Sequence, residues 1–164
     1  MTRIVLSVGI GLLLTVGTAW AGLLEDATTA NARGDHATAL KTFQSLAAQG
    51  NAEAQNNLGE LHAKGQGVPQ DYSQARQWYE KAAAHGHALA QNNLAELYFA
   101  GLGVPQDYVR AYMWVSLAAV HMKGDEQKQA EENRNDVAGR MTPKQLAEAK
   151  RLTQQCLALK FKGC

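Results

Sequence analysis

Three groups of residues in this 164-residue sequence are of types and spacings that could do chemistry. "GQGVPQDY" (Gly65–Tyr72) and "GLGVPQDY" (Gly101–Tyr108) are glycine-rich stretches, and such loops can cradle a phosphate on their backbone N–H groups. His85-Gly-His87 sets two imidazoles one residue apart, where they could share a metal. Cys156 and Cys164 are the two cysteines of the chain and could pair. The first two weaken quickly. A phosphate loop needs a Lys and a Ser or Thr following a strand, and neither stands there. The histidine pair lies at a turn between helices without a Cys or carboxylate at ligand spacing, so a solvated turn is expected. Ser45, Ser73 and Ser116 have no glycine elbow around them, which leaves nucleophilic catalysis without support. Neither a catalytic residue, a cofactor nor a metal is expected.

The glycine stretches make sense as parts of a larger unit. Shifting the chain by about 36 residues lays Ala52–His85 on Ala88–His121, a period found in arrays of helical pairs. More than half of the positions agree. The same shift carries Asp35, Ala39, Ala47 and Gly50 onto Asp71, Ala75, Ala83 and Gly86. "GDHATALKTFQSLAAQG" is therefore the second half of an earlier, shorter unit whose first half spans Leu23 to Arg33 without the GVPQ insertion.

Each unit predicts two helices. Ala54, Leu58 and Leu61, with Ala90, Leu94 and Leu97, recur at helical spacing in the first. Gly65 and Gly101 stand where a left-handed residue closes a helix, and Pro69 and Pro105 forbid continuation. Asp71 and Asp107 then cap the second helix, with Gln74 at the reciprocal capping-box position. In that helix Ala75, Trp78 and Ala82 line one face, as do Ala111, Trp114 and Ala118, the Trp filling space between layers. The glycines are thus a helix stop.

The pattern "A..NLGELH..GQGVPQDY..A..WYEKAA..G" resembles the Sel-1-like repeat family, relatives of the tetratricopeptide repeat. It covers two full units, 51–86 and 87–122, after a partial one at 22–50. The resemblance implies an all-α, right-handed α-solenoid of antiparallel helix pairs. It also implies adaptor work in signalling, envelope maintenance or host interaction. The second copy departs from the pattern at "WVSLAA", so the outer face of that helix is expected to be covered by the C-terminal segment.

Residues 123–164 are expected to close the array as a capping helix pair. A polar helix runs from about Asp125 to Arg140 with Ala130 and Val137–Ala138 as its apolar side. A second opens with Thr142 as N-cap, Pro143 at the first position and Gln145 as the reciprocal cap. Leu146, Ala149, Leu152, Cys156 and Leu159 form its stripe, the side that closes a solenoid to water. The first helix of the pair is net acidic and the second basic, so their charges are complementary.

At the other end, Arg3, the mostly apolar run Ile4–Val16 and "AWA" at 19–21 read as a signal peptide, residues 1–21, cleaved after Ala21. The polar stretch from Glu25 stops it short of a membrane span of roughly 20 residues. The mature chain is expected in the periplasm or secreted, with no membrane span. Sixteen basic and 15 acidic residues give a net charge of +1. No basic stripe with interleaved aromatics appears, which argues against nucleic acid as a partner.

Two sets of residues could form sites. Asn56 and Glu60 are four apart, as are Asn92 and Glu96, and in tetratricopeptide-like arrays the first helices line the concave surface. These four residues could form a polar ladder for a peptide backbone; alternatively, Asn56 or Asn57 holds adjacent repeats together, or the face is merely solvated. Cys156 and Cys164 would be about 12 Å apart in a continuous helix, too far to bridge. A disulfide therefore requires the helix to stop near Leu159–Phe161 and the tail to fold back, the alternatives being a buried Cys156 thiol or dimerisation through Cys164. The chain is expected to be a monomeric, non-enzymatic scaffold for another protein or peptide. The alternative is a cell-wall enzyme or ligand-binding protein of penicillin-binding type, but the relatives that suggest it carry a cysteine pair within each repeat and this chain does not.

Overall fold

The computed structural model describes residues 11–164, with side chains from Trp20 onward. Those residues form α1 (Gly11–Ala32), α2 (His36–Ala48), α3 (Ala52–Lys64), α4 (Tyr72–Ala83), α5 (Ala88–Ala100), α6 (Tyr108–His121), α7 (Gly124–Gly139) and α8 (Pro143–Ala158). Arg3 and the start of the apolar run expected of a leader lie outside the described residues, and the Ala21–Gly22 junction falls within α1. No described helix is long and apolar enough to cross a membrane.

Helix starts keep the sequence period. Ala52, Ala88 and Gly124 open α3, α5 and α7, each 36 residues after the last; His36, Tyr72 and Tyr108 open α2, α4 and α6 in the same way. Helix α8 opens at Pro143, one residue before the next step of that series. The C-terminal pair therefore keeps the spacing of a further unit after its motif has gone.

Local chemistry sets these starts. Asp35, Asp71 and Asp107 accept from the backbone N–H of Thr38, Gln74 and Arg110 at 3.2, 3.0 and 3.0 Å. The capping box expected at Gln74 is not closed, because the Asp71 N–H donates to the His62 carbonyl at 2.9 Å. Its counterpart, the Asp107 N–H, donates to Tyr98 in the same way. Thr142 and Gln145 do complete the reciprocal pair at α8.

From α1 to α7 each helix packs on the next, whereas α8 lies on α6 beside α7 rather than on it, so the expected C-terminal pair closes the array through α6. This explains the "WVSLAA" departure: Val115, Ser116 and Leu117 are buried where an outward-facing helix would carry polar residues. The two aromatic counterparts diverge with that burial. Trp114 is 5% exposed, whereas Trp78 is half-buried with the Lys81 Nζ 3.9 Å above its ring. Among the described residues no ion pair joins α7 to α8; their charges pair within each helix, as in Asp136–Arg140 and Glu148–Arg151. The charge complementarity expected between them does not act, since each packs on α6.

Helix α8 buries Ala149 and Cys156 but leaves Leu159, the end of the expected stripe, 48% exposed. Leu159 is the C-cap, and the chain turns there. The Phe161 N–H donates to the Cys156 carbonyl at 3.0 Å, while Lys160 and Phe161 take φ of 50° and 66°. Two successive non-glycine residues in the left-handed region are costly, so something must hold them. Cys156 is bonded to Cys164, with their Cα atoms 5.5 Å apart, and the Phe161 ring meets His121 edge-on at 5.4 Å.

Candidate functional site

The repeated glycine loops serve stacking. Gly65 and Gly101 close α3 and α5 with φ of 66° and 70°, values that an L side chain rarely adopts. The second glycine does more. A Cβ at Gly103 would lie 2.6 Å from the Tyr72 carbonyl carbon and 2.7 Å from the Ser73 nitrogen, so only glycine lets this loop seat on the start of α4. Gln70 and Gln106 staple each loop to the preceding helix, donating to the Ala63 and Phe99 carbonyls at 2.8 and 2.7 Å.

The histidine turn is also structural. His87 is the N-cap of α5: its Nδ1 accepts from the Ala90 N–H at 3.3 Å, as the Asn51 side chain does from Ala54 at the start of α3. The solvated turn expected here holds for His85, which is exposed, while His87 is half-buried. Burial lowers the His87 pKa below the ordinary range, and Glu53 and Glu60 offset part of that.

Buried amides join the units. Gln55 and Gln91 are nearly inaccessible and donate to the carbonyls of Ala47 and Ala83, the last turn of the preceding helix, at 3.2 and 3.3 Å. Sequence reasoning passed over both, although their recurrence beside the buried Ala54 and Ala90 was the available signal.

The four residues of the expected ladder occupy unlike places. Asn56 is 2% exposed. Its Nδ2 donates to Glu60 Oε1 at 3.1 Å, and its Oδ1 accepts from Asn93 of the next unit at 3.0 Å. Glu60 is half-buried and also accepts from Lys64 Nζ at 2.8 Å. Asn92 and Glu96, by contrast, line an open cleft.

That cleft, of about 400 Å³, lies between α5 and α7. Its floor is apolar: Ala95, Phe99, Val115 and Val137. Its walls carry the amides Asn92, Gln129 and Asn133 and the carboxylates Glu96 and Asp136. Glu96 also borders a second cleft of about 300 Å³ between α3 and α5, where Glu60, Tyr72 and Tyr79 meet. Burial, aided by Glu60 and then Glu96, raises the Tyr79 pKa well above the phenol range, so its hydroxyl stays protonated. A third groove, beside Arg76 and Trp114, is lined in part by the chain's own Phe161, Gly163 and Cys164. The α5–α7 cleft, by contrast, is an apolar trough with amide donors and acceptors along its edge. Such a surface can hold a peptide, and it presents no nucleophile–base pair. Among the described residues no three His, Cys, Asp or Glu gather as metal ligands would.

Comparison with known proteins agrees with this architecture. The Sel1 repeat family model matches residues 52–87 and 88–119. A protective antigen present in uropathogenic Escherichia coli strains, solved as displaying an SLR fold, is 36% identical, covers 83% of the chain and superposes with a TM-score of 0.77. A Sel1 repeat protein from Oxalobacter formigenes is 32% identical over 68% of the chain, with a TM-score of 0.62. The chain spans only 29% and 44% of those two proteins. No curated protein matches it. With two Sel1 repeats set in an all-helical solenoid shared with solved proteins of that kind, the chain is a member of the Sel1-like repeat family.

Proposed function

We propose that the chain is a non-enzymatic scaffold that binds a segment of another protein in the α5–α7 cleft. Sel1 repeats generally mediate protein binding. The observation that carries the site is the cleft itself, apolar at its floor and amide-lined at its walls, beside the register at which the first unit spends its own Asn56 internally. A peptide needs backbone partners and a dry floor, and both are supplied there.

We further propose that the scaffold is exported and works in the bacterial envelope, as periplasmic or secreted protein. Support comes from the leader-like first 21 residues and from the Cys156–Cys164 bond, which an oxidising compartment favours. The description of one structural relative as a protective antigen is in keeping with that address. Intact mass of the mature protein tests it: a chain beginning at Gly22 is expected, and a full-length membrane-bound species would contradict export by cleavage.

The binding role is tested by quantitative pull-down from the native envelope with the wild-type chain and with Asn133→Trp. Asn133 is exposed on the cleft wall, so the bulky ring fills the trough without disturbing the core. A partner retained by wild type and lost by the variant is expected. Equal recovery on both would place binding elsewhere.

A further inference from the structure

We propose that the segment taken by the α5–α7 cleft carries a lysine or arginine side chain, which pairs with Glu96. The proposal rests on the scaffold role above and identifies the chemistry of its partner. It starts from a difference between two residues in the same register. The Glu60 carboxylate is engaged twice, by the Asn56 amide and by the Lys64 ammonium one turn on. In the next unit Lys64 is replaced by Ala100, and the Asn56 counterpart is Asn92, half-exposed in the cleft. Among the described residues no ion pair or hydrogen bond engages the Glu96 carboxylate.

The neighbouring cations are engaged elsewhere. Glu96 stands where the α5–α7 cleft meets the α3–α5 cleft, and the second is lined by Glu60 and Lys64, which pair with each other at 2.8 Å. No Lys, Arg or His lines the α5–α7 cleft. Arg140 reaches its rim, but the guanidinium lies over the Phe99 ring at 4.8 Å and its Nε is 3.4 Å from Asp136. That pairing offsets Asp136 and leaves Glu96. A cation with a long aliphatic stem fits such a place: the stem lies along Phe99 and Val137 while the head reaches the carboxylate. Asn92 is left for the backbone, together with the amide groups that Gln129 and Asn133 do not use when Gln129 Nε2 donates to Asn133 Oδ1 at 3.1 Å. An acidic segment would meet uncompensated like charge, and a wholly apolar one would strand the Glu96 carboxylate.

Panning a random heptapeptide phage library on the immobilised full chain, on Asn133→Trp and on Glu96→Gln tests this. Both substituted residues are exposed, and thermal midpoints matching wild type verify that the variants fold. Peptides recovered on wild type and lost on Asn133→Trp are expected to contain Lys or Arg among apolar residues. Synthetic copies should bind Glu96→Gln about fivefold more weakly, the loss of one rim ion pair, and the difference should shrink at high salt. Cleft-dependent peptides that are neutral or acidic would overturn the proposal, as would basic ones indifferent to Glu96→Gln; either leaves the scaffold role standing. Absence of any cleft-dependent peptide would overturn both.

Discussion

The Tyr79 ring occupies the space that a Cβ on Gly59 would need. A Cβ there would stand 2.5 Å from Tyr79 Cδ1, and Tyr79 is itself only 3% exposed, so its ring has nowhere to move. One unit later the same two positions hold Ala95 and Val115, both buried. The units have exchanged volume between facing helices: glycine with a ring in one, alanine with a branched aliphatic in the other.

Gly59→Ala is expected to destabilise the fold by about 1–2 kcal/mol, because overpacking outweighs the better helix propensity of alanine. Tyr79→Val alone leaves a cavity. Together the two changes recreate the Ala95–Val115 pairing, so the double variant should be more stable than the two single losses summed. Additive losses in urea denaturation would show that the two residues do not share one space.

Asn56 and Asn92 separate in the same assay. Asn56→Ala removes the partner of Asn93 and Glu60 in a buried place and should cost about 1–3 kcal/mol. Asn92→Ala, at a half-exposed cleft position, should leave the denaturation midpoint nearly unchanged. Equal costs would contradict the division of labour between the two repeats.

This pair shows where the sequence was legible and where it was not. Helix starts, the Asp caps, the stop at Gly65 and Gly101 and the covered face of α6 are set by spacing and local chemistry, which one sequence displays. Asn56 and Asn92 are identical in type and register, and only the arrival of Asn93 from the neighbouring helix distinguishes them. The α5–α7 cleft is equally hidden, since its far wall comes from α7, whose sequence no longer carries the motif. In the sequence His87 stands out by its proximity to His85, whereas in the fold its role is the one Asn51 plays a unit earlier.

His87 makes stability depend on pH. Burial holds its folded pKa below that of the unfolded chain, about 6.5, and the cap needs an unprotonated Nδ1. The unfolded chain therefore takes up the proton first. The contribution is complete above about pH 6.5 and is lost as pH falls through the folded pKa. His87→Asn keeps a capping oxygen and removes the titration. Between about pH 7.5 and about pH 5 its thermal midpoint should fall less than that of wild type, the other histidines being common to both. Parallel declines would exclude His87 as the titrating group.

The C-terminal bond makes its own prediction. Peptide mapping under non-reducing conditions should recover a Cys156–Cys164 linkage, and Cys164→Ser should lower stability by about 2 kcal/mol, as expected for closing so short a loop. Released from the bridge, Lys160 and Phe161 are free to leave their left-handed conformations, so the contact of Phe161 with His121 and Gly86 should loosen. Free thiols or a disulfide-linked dimer would contradict the folded-back tail.

The central claim is that the α5–α7 cleft is where a partner is held, and position-specific photocross-linking in the native cell tests it most directly. A photoreactive residue at Asn133, on the cleft wall, is compared with one at Gln77, exposed on α4 and outside the residues lining the cleft. A discrete adduct at Asn133 that is absent at Gln77, and that weakens when Glu96→Gln is introduced, is the predicted result. The same adduct at both positions, or one at Gln77 alone, would contradict it.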